Sequence, residues 1–287
     1  MIQLENDHLQ VQINPLGAEV SSIKNISTNH QYMWSGDSSV WAGVSPVLFP
    51  TVGKSTNNQI KHNDINYSMG NHGFARHSVF NIIEQTPDSV TLSITTTPEN
   101  YPFKLQFNVS YHLESKKLIT TYEVINKDEV DAYCGFGAHP AFACPFDSYH
   151  SFKDYEIEFG SQEELNFHPI TTKAFYTGEI QRQKLSKINL DNHIFDDDAL
   201  VYSGFSTKKV RLNEKKSDRF IEVTFDGFEY LGLWSKPKAN APYVCIEPWC
   251  GKSDTLGFDE DIIDREGNIQ IKPQQTFSRS YTVEFGY

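Results

Sequence analysis

Apolar and polar residues alternate along much of the chain, with a repeat of two residues. Leu9, Val11 and Ile13 show the pattern near the N-terminus, and longer examples run through 103–111 and 118–124. A period of two places one set of side chains on the buried face of a strand and the other set in solvent. The pattern therefore predicts a chain rich in half-buried β-strands.

The same alternation recurs in four further segments, which are 90–94, 155–159, 220–225 and 281–285. Helical spacing, with apolar residues at i, i+3, i+4 and i+7, is confined to short stretches such as 259–265. No long helix is expected, and the chain is predicted to be all-β.

Turn-forming residues separate these runs at short intervals, as in Asn-Pro-Leu-Gly at 14–17, Thr-Pro-Glu-Asn at 97–100 and Asp-Gly at 226–227. Strands joined by tight turns pair antiparallel, because a parallel crossover needs a dozen or more connecting residues. About twenty such strands cannot remain in one open sheet. We therefore expect a large antiparallel β-sandwich, with two sheets packed face to face.

The sequence gives no sign of a boundary between domains. It has no internal repeat, no low-complexity tract and no linker rich in Gly, Ser or Pro. A single β-sandwich domain is expected over residues 1–287. The 161–196 segment is more polar and less regular, and it is predicted to form long loops over one face of the sandwich.

Composition and charge restrict the partners. Hydrophobic residues make up 38% of the 287 residues, which is enough for one large core. Lys and Arg number 25 against 37 Asp and Glu, and the net charge of −12 repels a phosphate backbone, so nucleic acid is not an expected partner.

The longest mostly apolar run, 44–52, is too short for a membrane span, and no basic segment precedes an apolar core at the N-terminus. A cytoplasmic protein without membrane contact is expected.

The number and spacing of the cysteines agree with the expected cytoplasmic location. Cys134, Cys144, Cys245 and Cys250 are too few for a disulfide scaffold and form no CxxC pair. They are interpreted as reduced, small core hydrophobes.

Two segments place histidines among glycine, proline and aromatic residues. In Asn-His-Gly-Phe-Ala-Arg at 71–76, Gly73 lets the backbone approach another group closely, and Arg76 offers a planar set of donors for hydroxyls or an anion. A hairpin turn with a solvated Arg76 is the structural alternative. In the second segment, 135–142, His139 lies between small residues and a proline, where partial desolvation suits proton donation. A purely structural histidine is the alternative there.

Carboxylates mark two further segments. Glu247 ends an apolar strand beside Trp249, and a buried carboxylate must either pair with a cation or carry a raised pKa that suits a base. The Asp-Asp-Asp run at 196–198 is interpreted as an acidic turn or as one inward-pointing carboxylate, for which Asp198 is chosen, that holds substrate hydroxyls. It lacks the spacing of a calcium loop, so no metal is expected. Lys54 follows an aromatic stretch and either caps this site or is exposed.

Taken in order, four motifs resemble those of the aldose 1-epimerase, or galactose mutarotase, family, and most closely its LacX-type branch. They are HGFAR at 72–76, GAHPAF at 137–142, DDALV at 197–201 and IEPWCG at 246–251. The resemblance extends over nearly the whole chain. It implies a many-stranded antiparallel β-sandwich with a sugar pocket, which interconverts the α and β anomers of an aldose without a metal or a redox cofactor.

The resemblance also implies roles for individual residues. Glu247 is similar to the general base that takes the proton from the anomeric hydroxyl, and His139 to the general acid that donates to the ring oxygen. His72 is similar to a second imidazole that hydrogen-bonds the sugar. Arg76 and one aspartate of the 196–198 run, taken as Asp198, resemble substrate-holding groups. Lys54 and Trp249 complete the expected substrate-binding set.

At two positions the sequence differs from galactose mutarotases, and these differences limit what the resemblance implies about the substrate. Asn57-Asn58 stands where those enzymes usually have Asn-Arg, and Ala141 stands where they have Tyr, so a preference for galactose is not implied. The expected ligand is a monosaccharide, an aldohexose that is either free or phosphorylated, since Lys54 and Arg76 together could accept a phosphate. The chain is expected to be a monomer or a homodimer.

Two other classes of function compete with the epimerase. A non-catalytic carbohydrate-binding or sugar-sensing protein is one, because the same sandwich can bind a sugar without turning it over. Glycoside hydrolysis is the other, but it requires two carboxylates at the scissile bond, whereas these motifs pair a histidine with a glutamate.

Overall fold

The computed structural model describes residues 1–286, and β-strands account for nearly all of their regular structure. In chain order the strands are β1 (Ile2–Glu5), β2 (Leu9–Asn14), β3 (Glu19–Asn25), β4 (Val47–Leu48), β5 (Gln59–His62), β6 (Ile65–Ser68), β7 (Asn81–Gln85), β8 (Ser89–Thr95), β9 (Leu105–Glu114), β10 (Lys117–Asn126), β11 (Ala132–Cys134), β12 (Phe136–Ala138), β13 (Ala141–Ala143), β14 (Tyr155–Phe167), β15 (Gln181–Asn189), β16 (Leu200–Ser203), β17 (Lys209–Glu214), β18 (Phe220–Thr224), β19 (Tyr230–Trp234), β20 (Tyr243–Cys250), β21 (Ile269–Ile271) and β22 (Thr276–Phe285). The helices are short 3-10 turns at Thr56–Asn58, Ala75–His77, Phe152–Asp154 and Ile262–Asp264.

The strands predicted from alternation are present, and the sheets they form are antiparallel. A sheet of fifteen strands dominates, in the order β4-β12-β20-β19-β16-β14-β17-β18-β22-β10-β9-β8-β7, with β13 also paired to β20 and β15 to β14. Beside it lie a three-stranded sheet, β1-β2-β3, and the two-stranded pairs β5-β6 and β11-β21.

The large sheet folds over so that its two ends face each other. The ring of Phe49, directly after β4, stacks on Phe107 of β9 with centroids 4.2 Å apart. Phe136 of β12 lies 5.6 Å from Tyr122 of β10. A twisted sheet of this width must curl, because twist accumulates from strand to strand. The predicted sandwich is confirmed, and one continuous sheet supplies strands to both of its layers.

The 161–196 segment differs from the expectation of long loops. Strands β14 and β15 cover 161–167 and 181–189, while 168–180 and 190–196 are irregular as expected. Strand β15 pairs with β14 alone, at the side of the large sheet, so most of its side chains are exposed on both faces. A strand exposed in this way carries no apolar alternation, which is why the sequence pattern missed it.

Strand β20 lies between covered faces. All eight of its residues are buried, and it pairs with β12, β13 and β19. The four cysteines are likewise buried and unpaired with one another, as expected of core residues. Across residues 1–286, no helix has the length and apolar character needed to cross a membrane.

We expect Phe107→Ala to lower the free energy of unfolding by about 3–5 kcal/mol, because the ring joins the two layers and its loss leaves a cavity. Chemical denaturation measures the change. Val79→Ala, at a side chain 71% exposed, is the control and should change stability by less than about 0.5 kcal/mol. A loss at Phe107 as small as that of the control would contradict the packing described here.

Candidate active site

A cavity of about 400 Å³ opens beside β20. Its volume lies in the range of small-molecule sites. The structure brings all seven residues singled out in the sequence to its wall, and these are Lys54, His72, Arg76, His139, Asp198, Glu247 and Trp249.

Strand geometry positions Glu247 and Trp249. Residues two apart on a strand face the same side, so both side chains reach the cavity while Ile246 points into the main core. Glu247 is 1% exposed. Gly232, opposite Glu247 on β19, makes room for the Trp249 ring, because a Cβ there would lie 2.6 Å from it.

His139 follows β12 and contacts Glu247 directly. Its Nε2 lies 3.2 Å from Oε2 of Glu247, and the imidazole is almost as buried as the carboxyl group. The two atoms are close enough for a charge contact, but they are not aligned for a hydrogen bond. Oε2 has no hydrogen-bond donor among residues 1–286 and is therefore available to a ligand.

Burial shifts the proton affinities of this pair in opposite directions. It raises the pKa of Glu247 well above the ordinary carboxyl range, with a further increase from Asp198 and a partial offset by Arg76. It lowers the pKa of His139 well below the ordinary imidazole range, and the neighbouring His72 and Arg76 lower it further. Desolvation disfavours the charged form of each group, so the empty cavity favours a protonated Glu247 and a neutral His139.

His72 is fixed by its backbone and by Gly53. The residue has a φ of +65°, and its N–H donates to the Gly53 carbonyl over 2.8 Å. The Gly53 N–H donates in return to Nδ1 of His72 over 3.1 Å, which leaves the imidazole proton on Nε2. Burial, with smaller contributions from nearby cations, lowers the pKa of His72 to about 3. His72 is thus a neutral donor, and it lies in a folded turn at the cavity wall.

The next residue explains why that turn contains a glycine. Gly73 has a φ of +73°, and a Cβ on it would lie 2.2 Å from the carbonyl oxygen of Phe49. Only glycine fits this approach. Arg76, on the following 3-10 turn, is half-buried at the cavity and not freely solvated.

The aspartate run divides into separate roles. Asp196 pairs with His193 over 2.9 Å, and Asp197 is exposed. Asp198 has a φ of +87° and lines the cavity, where it accepts hydrogen bonds from the Ala199 N–H and from Trp234. Burial raises the pKa of the Asp198 carboxyl.

A buried ion pair supports the segment that carries Lys54. Arg265 Nε donates to Asp254 Oδ1 over 2.6 Å, and both side chains are at most 3% exposed. Arg265 also donates to the carbonyls of Val52 and Lys54, and Asp254 accepts from the Thr56 N–H. The pair therefore fixes the 52–56 segment, and through Gly53 it also constrains His72. No motif in the sequence indicated this support.

The sequence analysis also missed part of the wall. Trp41 and Trp234 line the cavity on one side, and the 168–180 connection contributes Lys173 and Tyr176 on another. The tryptophans had a usable signal, because the chain contains only four and all of them lie in or next to this region. The 168–180 residues lie on an irregular segment and had no such signal.

Within residues 1–286, two groups of side chains have the composition of a metal site. Ligand atoms of His139, Cys245 and Glu247 lie within 4.8 Å of one another, but burial raises the pKa of the Cys245 thiol well above its ordinary range, and a protonated thiol is a poor ligand. The other group includes Asp147 and Glu214, and Arg219 forms ion pairs with both carboxylates. Neither group fits a resident cation.

We expect Asp254→Asn to lower the free energy of unfolding by about 3–5 kcal/mol, because it leaves the buried Arg265 charge without its partner. Urea denaturation provides the measurement. Asp226→Asn breaks the exposed ion pair with Lys208 and serves as the control, with an expected change below about 1 kcal/mol. Equal effects at the two positions would show that the buried pair does not support the segment.

Known proteins resemble the chain along its whole length. The family model for Aldose 1-epimerase matches residues 1–283. The chromosomal LacX protein of Lactococcus lactis subsp. lactis is 31% identical over 299 aligned positions, which cover 98% of each protein. A galactose mutarotase related enzyme from Lactobacillus acidophilus has a TM-score of 0.92 at 28% identity, over 100% of this chain and 97% of the other. A galactose mutarotase-like protein from Lactobacillus casei has a TM-score of 0.93 at 27% identity, over 99% of each chain.

Proposed function

The chain belongs to the aldose 1-epimerase family, and on this basis we propose that it interconverts the α and β anomers of a hexose by acid–base opening of the sugar ring. Glu247 is the general base and His139 the general acid. The contact between Glu247 Oε2 and His139 Nε2 at the cavity wall is the observation that carries this proposal.

The contact suits the reaction because O1 and O5 of a cyclic sugar are both bonded to C1. A base that serves O1 and an acid that serves O5 must therefore be neighbours. Glu247 takes the O1 proton, His139 donates a proton to O5, the C1–O5 bond breaks and C1–O1 becomes a carbonyl. Closure on the other face after rotation about C1–C2 reverses each transfer.

Glu247 and His139 together hold one proton both before and after ring opening. The pair begins as a carboxylate and an imidazolium, and it ends as a carboxylic acid and a neutral imidazole. Burial favours the second form in the empty cavity, through the raised pKa of Glu247 and the lowered pKa of His139. The two proton transfers of ring opening therefore run toward the protonation state that burial favours, and no further proton donor is needed.

The remaining wall residues hold the sugar in this proposal. His72 donates from Nε2, Asp198 accepts from hydroxyls, and Trp249 provides an apolar surface for the C–H groups of the ring. The rest of the wall is positively charged, since Lys54, Arg76, Lys173 and Lys236 line the cavity of a protein with a net charge of −12. These cations favour a phosphorylated hexose over a free one.

We expect Glu247→Gln to reduce the rate of anomer exchange by about 10²–10⁴-fold, because the amide cannot accept the O1 proton. The melting temperature should change little, since glutamine has the same shape and burial already favours the uncharged carboxyl group. NMR exchange spectroscopy on free and phosphorylated hexoses measures the rate.

Glu99→Gln, at an exposed turn, is the matched control and should retain full activity. His139→Asn should also act on turnover, and full activity in that variant would reassign the acid to His72. If the wild type binds sugars by calorimetry but exchanges them no faster than buffer, the protein is a non-catalytic sugar-binding protein and the proposal is wrong.

The pH dependence should show two limbs, because only the singly protonated pair is active. The lowered pKa of His139 places the acid limb below the ordinary imidazole range, and the raised pKa of Glu247 places the alkaline limb above the ordinary carboxyl range. Exchange rates corrected for the buffer reaction test this. A rate that rises through the ordinary imidazole range, with no alkaline limb, would contradict the shared proton.

A further inference from the structure

The imidazole of His139 lacks the hydrogen bond that ordinarily orients a catalytic histidine. Its Nδ1 is buried and has no partner on another residue within 1–286. Its Nε2 contacts Glu247, but the two groups are not aligned for a hydrogen bond that would fix the plane of the ring. Catalytic imidazoles are usually oriented by a hydrogen bond on the second nitrogen. Apart from a contact with the backbone of His139 itself, the orientation must come from packing.

Among residues 1–286, three rings surround the imidazole, and only one of them lies closer to parallel than to perpendicular to it. The Trp41 ring lies 5.0 Å from the imidazole with the planes 31° apart. Trp234 and His72 lie at 5.5 Å and 5.4 Å, but their planes are turned by 86° and 80°. At such a short separation, a small interplanar angle means that Trp41 presents its ring face to His139.

Trp41 is itself held in place, although it lies on a half-exposed loop. The Trp34 Nε1–H donates to the Trp41 carbonyl over 2.8 Å, and the Lys236 ammonium donates to the carbonyl of Val40. The Trp41 ring also stacks on Tyr243, with centroids 5.5 Å apart. These contacts give the indole a fixed position above the imidazole.

The inference rests on the proposed function: we propose that Trp41 is a positioning residue that holds the His139 ring toward the sugar and stabilises its protonated form through the face of the indole. An aromatic face attracts a cation placed over it. The proton transfer to O5 starts from the imidazolium, which burial disfavours. Trp41 offsets part of that cost at the step where the imidazolium is needed.

Other charged and titratable groups face His139 and must stay constant in the test. They are His72, Arg76, Cys245 and Glu247, with Asp198 acting on Glu247. None of them makes a described hydrogen bond to Trp41. Trp41→Leu therefore removes the ring and leaves this set of charges in place.

We expect Trp41→Leu to lower kcat by about 2- to 30-fold, which corresponds to the attraction of a desolvated cation to an indole. The acid limb of the pH profile should move to lower pH, because the doubly protonated pair contains the imidazolium. The alkaline limb should stay in place, because the proton lost there comes from Glu247. Trp41→Phe keeps a smaller ring and should give intermediate values for kcat and for the acid limb.

A second readout does not depend on activity. Relaxation of the His139 ring ¹³Cε1–¹H group, assigned by its loss in His139→Asn, should show a more mobile ring in Trp41→Leu than in the wild type. Ala42→Ser, at an exposed neighbour on the same loop, is the control and should leave ring order, kcat and the pH profile unchanged.

The outcomes separate the two proposals. A wild type that exchanges anomers no faster than buffer would overturn the proposed function, and the ring order would then still test whether Trp41 positions His139. An active wild type whose acid limb and ring order are the same in Trp41→Leu would overturn the role of Trp41. A change confined to KM would also overturn it, since it would reduce Trp41 to a sugar contact.

Discussion

The site depends on one constraint, which is that a carboxyl group lies on a strand with both faces covered. All of β20 is buried, and Glu247 occupies the position where its face meets the cavity. Water cannot solvate the carboxylate there, so the pKa of Glu247 rises. The same burial lowers the pKa of the neighbouring His139, because it disfavours the imidazolium. The folded sheet covers β20 and thereby sets the pKa shifts of both Glu247 and His139.

The other parts of the site depend on backbone geometry more than on charge. The positive φ values at His72 and Asp198 turn both side chains to the cavity, and Gly73 allows the chain to pass the Phe49 carbonyl. The buried pair of Arg265 and Asp254 fixes the segment beside His72. Distant parts of the sequence therefore set the position of each of these cavity-lining groups.

Much of this was predictable from the sequence, for identifiable reasons. Strands with one buried face, such as β9 and β10, produce alternation, so the all-β sandwich and the family were predicted and are confirmed. Strand β15 was missed because it is exposed on both faces. The motif residues share one cavity. Trp41 was marked only by the rarity of its residue type and Tyr176 by nothing, since tertiary packing alone brings both segments to the cavity. The roles assigned to Glu247 and His139 stay predictions.

The wall of the cavity is built partly from a core strand and partly from a loop, and the two parts differ in how freely their sequence can change. Glu247 lies on a core strand, where substitutions that change side-chain volume disturb packing, whereas Lys173 and Ala174 lie on the irregular connection at 168–180. Loops tolerate replacement and changes of length far better than buried strands do. Changes in this connection can therefore alter which ligand the cavity admits while the buried pair on and beside β20 stays the same, so that related chains can keep one set of buried groups and differ in the ligand they select.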